Sequence, residues 1–225
     1  MLPSPAPRTF ADHLAILGGL PPSRVRVTPP PGTATVADWE SATADGALCE
    51  LVDGTLVDKA MGWYESLVAS VLIGIIREAS QRGRLGVVAG EQGFITLPGG
   101  IVRAPDVAFY LRANLPGGQL PRDKRPAVVP DLAVEVLSEG NTVAEMAAKR
   151  RELFHAGTTV LWIVDPSTRS VAVYTSVTDY KIVDAAGMLS GGSVLPSLSV
   201  SIAALFDEVG GRLPVGRQRG DDSGV

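Results

Sequence analysis

The sequence predicts an α/β fold in which helices flank a central mixed β-sheet. Three apolar runs, 107–111, 131–137 and 160–164, have the length and composition of buried strands. Between the second and third runs, residues 142–155 begin with a capping sequence and are predicted to be helical. Because a strand–helix–strand crossover is almost always right-handed and joins parallel strands, we expect 160–164 to lie beside 131–137.

Turn residues and periodicity predict the remaining elements. Asp53 and Gly54 separate two short apolar runs, which is typical of a two-residue hairpin. The longest helix is predicted at residues 66–82, and residues 112–129 form a polar, Pro-rich loop. The shorter predicted elements are helices at 13–20 and 35–44, strands at 48–52, 85–89, 93–97, 101–102, 171–174 and 180–183, and a last piece at 200–206.

The chain of 225 residues is long enough for one large domain with appendages. Residues 1–34 are rich in Pro and Gly and are predicted to form an N-terminal arm. Residues 35–209 are predicted to form the folded domain, and residues 210–225 a flexible tail. The hydrophobic share of 45% allows a substantial core.

Composition excludes several classes of protein. Cys49 is the one cysteine of the sequence, which excludes a disulfide framework and a cysteine-rich zinc site. No apolar stretch reaches the roughly 20 residues of a membrane span, and the first ten residues lack the order of a signal peptide. We therefore expect no membrane association and a cytoplasmic location. The net charge of −4 argues against a strongly basic nucleic-acid binder but leaves room for a nuclease with local Lys and Arg clusters.

Two carboxylates stand in apolar runs where a packed core would exclude them. Asp106 directly precedes the run 107–110, and Glu135 interrupts the run 132–137. A buried carboxylate is costly unless a cation or hydrogen-bond donors compensate it. Since oxygen ligands suit Mg²⁺ and Mn²⁺, two such groups on neighbouring strands predict a metal site. Two structural alternatives stay open: turn amides that bind Asp106, and a structural Arg or Lys that pairs with Glu135.

Lys149, on the predicted helix 142–155, is the candidate cation of this site. It lies at the border of the helix side that carries Met146 and Leu153, so its long stem could bring the ammonium group to the strand end. Arg150 lies nearer the middle of that side and is a rival. The structural alternative for Lys149 is an exposed pair with Glu145, four residues earlier.

The order and spacing of several sequence blocks is similar to that of a known family. The blocks are CELVDGTLV (49–57), the helical segment 65–77, RAPDVAFY (103–110), PDLAVEVLS (130–138), AAKRRELFHAG (147–157) and VLWIVDP (160–166). Over residues 35–209 the chain resembles the Uma-two-type restriction endonucleases, a branch of the PD-(D/E)XK nuclease superfamily. The resemblance implies a restriction-endonuclease-like core that binds a divalent metal and cleaves DNA. It assigns the motif aspartate to Asp106 and the acidic metal ligand to Glu135.

The chain departs from the wider superfamily at two places. The usual lysine, two residues beyond the acidic ligand, would fall at Leu137, which cannot serve. The resemblance then carries the role of this lysine onto Lys149 in the following helix. Where many relatives have a histidine near the start of the first long helix, this chain has Tyr64 and Glu65. Glu65 is either a further metal ligand or a charge that stabilises the N-terminus of the helix.

These features predict a Mg²⁺-dependent endodeoxyribonuclease. In this hypothesis Asp106 and Glu135 hold Mg²⁺ (or Mn²⁺), and Lys149 stabilises the transition state. Glu91 and Gln92, on the strand before Asp106, are further ligand candidates.

The expected partner is DNA, and a homodimer is possible through the arm 1–34 or the loop 112–129. Two other functions stay open. The first is a catalytically silent scaffold or partner-binding module, which the acidic net charge favours, and the second is a hydrolase of another phosphate ester.

Overall fold

The computed structural model describes residues 9–60, 62–82 and 84–210; residues 211–225 of the predicted tail lie outside this part. The helices of the described part are α1 (Phe10–Ile16), α2 (Val36–Ala44), α3 (Trp63–Ala79), α4 (Val143–Ala156) and α5 (Ile202–Val209). The strands are β1 (Cys49–Val52), β2 (Thr55–Asp58), β3 (Gly86–Gly90), β4 (Ile95–Leu97), β5 (Ile101–Arg103), β6 (Val107–Leu111), β7 (Leu132–Val136), β8 (Val160–Asp165), β9 (Ser170–Tyr174), β10 (Tyr180–Val183), β11 (Met188–Gly191) and β12 (Leu195–Ser201). Across these residues, none of the helices is long and apolar enough to cross a membrane.

The main sheet has six strands in the order β10-β9-β8-β7-β6-β3. Strands β7 and β8 are parallel, and the other pairs are antiparallel. The predicted mixed α/β fold and the predicted crossover through α4 are therefore confirmed. Strand β3 pairs with β6 on its outer side, so that β6 and β7 are both interior strands.

Each face of the main sheet carries its own hydrophobic core. One face packs against α3 and α5 and includes Leu72 and Trp162, whereas the other packs against α4 and β4 and includes Ala133 and Leu161. Because side chains alternate along a strand, Glu135 shares its face with Ala133. Glu135 therefore points toward α4, the helix that carries the candidate lysine.

A second sheet, in the order β2-β1-β5-β4, packs beside α4. Its β1–β2 hairpin turns at Asp53 and Gly54, whose φ angles are 46° and 66°, as a two-residue turn of this type requires. A side chain at position 54 would come within 2.7 Å of the carbonyl oxygen of Gly32, which explains the glycine. The hairpin predicted from the sequence is confirmed.

Helix α4 begins and ends as predicted. Thr142 and Glu145 form a reciprocal capping box, and Gly157, with a φ of 116°, ends the helix. Glu145 also accepts two hydrogen bonds from the guanidinium of Arg24, at 2.8 and 2.9 Å. This buried pair connects the predicted arm with α4; the boundary between arm and domain stays a prediction.

Candidate active site

Strands β6 and β7 bring Asp106 and Glu135 side by side. The antiparallel register pairs Val107 with Val134, so the preceding Asp106 lies across from Glu135. The exposed fractions of the two residues are only 3% and 4%. One carboxylate oxygen of Asp106 (Oδ2) accepts a hydrogen bond of 2.7 Å from the backbone nitrogen of Val136. The end of β7 therefore fixes the position of the aspartate.

Lys149 extends from α4 to the same place. Its Nζ lies 2.9 Å from Oε2 of Glu135 and 3.4 Å from Oε1 of Glu50. Lys149 is buried, with 4% exposed. The alternative of an exposed pair with Glu145 is wrong, since Glu145 pairs with Arg24. The structure thus brings Asp106, Glu135 and Lys149 together.

The rival cation Arg150 lies elsewhere. Its guanidinium carbon lies over the ring of Tyr174, 4.5 Å from the ring centroid. The guanidinium group of Arg150 therefore packs against Tyr174 of β9 and not against Asp106 or Glu135.

Sequence reasoning missed an ionic network that supports Lys149. Glu50, on β1, accepts hydrogen bonds from Nη1 of Arg103 at 2.7 Å and from the backbone nitrogen of Ala104 at 3.1 Å. Nε of Arg103 donates to Glu152 of α4, also at 2.7 Å. A signal for Glu50 was present in the sequence, because it stands alone among the apolar residues of 49–52 just as Glu135 stands in its strand.

Lys59 is a second lysine of the site that the sequence did not indicate. It directly follows β2, and its Nζ lies 2.8 Å from Oδ1 of Asp106. It also donates a hydrogen bond to the carbonyl oxygen of Ala104. No apolar run surrounds position 59, so a pattern search would not single it out.

The buried charges perturb one another strongly. Burial raises the pKa of Glu135 to about 7, against the charges of Lys149 and Lys59, and the charge of Asp106 adds to the rise. Glu50 is buried as deeply, but Lys149, Arg103 and Lys59 hold its pKa well below the usual range. Burial would lower the pKa of Lys149, yet the charges of Glu135 and Glu50 outweigh it and raise that pKa. Lys149 therefore keeps its charge at any physiological pH.

The raised pKa of Glu135 makes stability depend on pH. The native carboxyl keeps its proton up to about pH 7, whereas the unfolded one loses it near the ordinary value of 4.5. Since the folded state binds more protons between these values, the contribution of Glu135 to the free energy of unfolding falls as pH rises through this window. In Glu135→Gln, which cannot titrate, this fall of about 1–3 kcal/mol should be absent. Urea unfolding of both proteins between pH 5 and 8 checks it, and parallel stability curves would contradict it.

Glu65 lies beside the residues that follow β7. It is in the first turn of α3, which packs on the face of the main sheet opposite α4, and its carboxylate bends back against Gly62. It lines a cavity of about 490 Å³ together with Leu137, Ser138 and the turn 165–167. Its role as a metal ligand stays a prediction.

Glu91 and Gln92 directly follow β3. Burial raises the pKa of Glu91, the charge of Lys59 opposes the rise, and the charge of Asp106 adds to it, so Glu91 lies within the field of the site. Gln92 lines a different cavity, which it shares with Tyr110. A ligand role for either residue stays a prediction.

The chemistry of the carboxylates suits a hard divalent cation. In the described ranges, no group of three or more His, Cys, Asp or Glu side chains is arranged to hold a metal ion. Mg²⁺ commonly binds through only one or two carboxylates and keeps several of its waters. Asp106 and Glu135 therefore fit Mg²⁺ in ligand type and number, although each carboxylate is paired with a lysine in this structure.

Comparison with known proteins identifies the class of the fold and then the family. The structure is similar to "a putative nuclease belonging to DUF820 from Anabaena variabilis ATCC 29413", with a TM-score of 0.64 and 20% sequence identity over 72% of this chain and 90% of that chain. At this identity, the likeness shows that the chain has the fold of that nuclease-like protein. The profile of the Uma2 family, described as "Putative restriction endonuclease", matches residues 34–203, and the chain belongs to this family. A search of the curated proteins found no match. The resemblance that the sequence blocks suggested is confirmed.

Proposed function

We propose that this protein is a metal-dependent DNA endonuclease. In this proposal Asp106 and Glu135 hold Mg²⁺ or Mn²⁺, and Lys149 stabilises the transition state of phosphodiester hydrolysis. The observation that carries the proposal is that two buried carboxylates on adjacent strands, Asp106 and Glu135, lie at one place with Lys149 of α4. Membership in the Uma2 family supports a nuclease over other phosphate-ester hydrolases.

The bound ion would supply a water of lowered pKa and neutralise negative charge on the scissile phosphate. The side chains determine where this chemistry takes place. Asp106 is held by the backbone nitrogen of Val136, so its second oxygen can face a ligand without loss of position. Lys149, whose pKa is raised, is a permanent positive charge and not a general base. Its role is therefore electrostatic: it attracts the negative charge that develops on the phosphate oxygens.

Glu50 and Arg103 would position Lys149. Glu50 lies between the two cations, 3.4 Å from Nζ of Lys149 and 2.7 Å from Nη1 of Arg103. Because Lys149 has a second carboxylate partner, a metal ion that takes Glu135 leaves the ammonium group still compensated. We infer that this second partner keeps Lys149 in the site when the metal is bound.

DNA binding by this chain should be weak at high salt. The net charge is −4, and Arg125, in the Pro-rich loop 112–129, is already paired with Glu40. Contacts to phosphates must therefore come from local cations such as the exposed Arg122 and Lys124. Each such contact releases counterions, so affinity should fall as salt rises. A homodimer would bring two sites to the two strands of a duplex.

One observation favours a second candidate function, a catalytically silent module. Both carboxylates are paired with lysines, at 2.8 Å for Asp106 and 2.9 Å for Glu135, and such pairs also occur as purely structural contacts. A silent module would bind no divalent metal at these carboxylates and would cut no substrate.

Removal of the metal tests the proposed function. Purified protein is incubated at low salt with supercoiled plasmid, single-stranded DNA, RNA and a small phosphodiester, with Mg²⁺, with Mn²⁺ or with excess EDTA. We expect plasmid cleavage with either metal, none with EDTA, and recovery when metal is restored. Cleavage that persists in EDTA would contradict the metal-dependent mechanism. Turnover of the small ester alone would favour the other hydrolase, and no turnover of any substrate would favour the silent module.

A further inference from the structure

Lys59 differs from Lys149 in what it binds. The ammonium group of Lys149 lies between two carboxylates, Glu135 and Glu50. Lys59 pairs with one carboxylate, that of Asp106, and its other contact is the neutral carbonyl oxygen of Ala104. Its side chain is only 3% exposed, so water contributes little to its solvation. Asp106 is thus the charge that holds the ammonium group in place.

The charge of Lys59 also acts on carboxyl groups other than that of its partner Asp106. After the charges of Lys149 and Arg103, it helps to lower the pKa of Glu50, and it opposes the rise that burial causes in the pKa of Glu91 and of Glu135. The ammonium group of Lys59 lies 2.8 Å from Oδ1 of Asp106, the oxygen that does not bind Val136 and that a divalent cation would use. Lys59 and a divalent cation would therefore compete for the same carboxylate oxygen.

We infer that Lys59 is a built-in cation that occupies the Asp106 side of the proposed metal site, so that a divalent ion must displace its ammonium group in order to bind. The inference rests on the proposed function, because it takes Asp106 as a metal ligand. It adds a residue that determines metal affinity. The displaced ammonium group would keep the carbonyl oxygen of Ala104 as a hydrogen-bond acceptor.

This competition has a direct consequence for metal affinity. A lysine within contact distance of a carboxylate cancels most of the attraction that the carboxylate exerts on another cation. Removal of the lysine charge should therefore strengthen metal binding, although it also removes a partner from a buried aspartate. Removal of the charge of Lys149 would not test metal affinity as directly, since Lys149 also compensates the buried carboxylate of Glu50.

Titration of the metal-free protein with Mn²⁺ tests the inference. In Lys59→Gln the amide can still donate to Asp106 and to Ala104 but carries no charge, so the fold should be retained. We expect this variant to bind Mn²⁺ about ten- to a hundredfold more tightly than the wild type by isothermal titration calorimetry. Lys59→Met, which has a similar length and no donor, should show the same direction. Thermal unfolding followed by circular dichroism establishes that each variant is folded.

The matched control is Lys181→Gln, the same change at an exposed lysine of β10, three strands away from β7. It should bind Mn²⁺ as the wild type does, and Asp106→Asn combined with Lys59→Gln should abolish the gain. Unchanged or weaker binding by folded Lys59→Gln would overturn the role of Lys59 and leave the metal site standing. If neither the wild type nor Lys59→Gln binds Mn²⁺, the proposed metal site is overturned, and the inference with it. The same holds if Asp106→Asn leaves the Mn²⁺ affinity unchanged.

Discussion

Asp106→Asn is expected to reduce metal-dependent DNA cleavage by about 10³-fold or more at an unchanged protein concentration. Asparagine has nearly the same size as aspartate, and its carbonyl oxygen can still accept the hydrogen bond from the backbone nitrogen of Val136. The change removes the negative charge that would hold the divalent ion beside Glu135, and it also removes the carboxylate partner of Lys59. Rates of plasmid cleavage at saturating Mg²⁺ and Mn²⁺ measure the loss, and Glu135→Gln should behave in the same way.

Asp131→Asn is the matched control for this loss. Asp131 is also a buried aspartate next to β7, but it lies at the start of that strand, where it accepts hydrogen bonds from the backbone nitrogen of Leu111 and the side chain of Asn114. Its replacement should cost stability and leave the cleavage rate of the folded protein near that of the wild type. If Asp106→Asn cleaves at the wild-type rate, Asp106 is not a metal ligand. If both variants lose activity equally, the loss reports damage to the fold and not to the site.

The central part of this fold could be predicted because its signals are local. A carboxylate within an apolar strand is visible in the sequence, and so is the capping box of Thr142 and Glu145 that begins α4. These signals gave Asp106 and Glu135, the crossover and the approximate position of Lys149. The β11–β12 hairpin was missed, and the piece predicted at 200–206 is the end of β12 and the start of α5. The two strands of the β11–β12 hairpin are rich in Gly and Ser, so the alternation of apolar and polar side chains along them is weak.

The rest of the site depends on contacts between residues far apart in the sequence. Lys59 and Asp106 are 47 positions apart, and Arg103 and Glu50 are 53 apart. Nothing in the neighbourhood of Lys59 or Arg103 shows that its side chain is buried, because long cationic side chains on strand ends usually reach solvent. Their partners follow only from how the second sheet packs against the main sheet and α4. The charge balance of the site is therefore a tertiary property, whereas its carboxylates are a local one.

Arg103→Met is expected to lower the free energy of unfolding by about 3–5 kcal/mol. Arg103 is the cation that binds Glu50 of β1 and Glu152 of α4, and its side chain is buried with that of Glu50. Without it, Glu50 keeps Lys149 at 3.4 Å and the backbone nitrogen of Ala104, which compensate only part of its charge. Glu152 is partly exposed and can turn to water, so the cost comes mainly from Glu50. Urea unfolding followed by circular dichroism measures the difference.

Arg125→Met is the control that shows whether the loss of stability in Arg103→Met comes from the buried pair with Glu50 or from the loss of an arginine in general. Arg125 also pairs with a glutamate, Glu40, but the two side chains are 28% and 47% exposed, so their pair should contribute about 1 kcal/mol or less. The double variant Arg103→Met/Glu50→Gln removes the uncompensated charge and should recover part of the lost stability. A cost for Arg103→Met no larger than that for Arg125→Met would show that Glu50 is compensated without the arginine. The second sheet would then not be held to the site by charge, and Glu50 would be available to Lys149 alone.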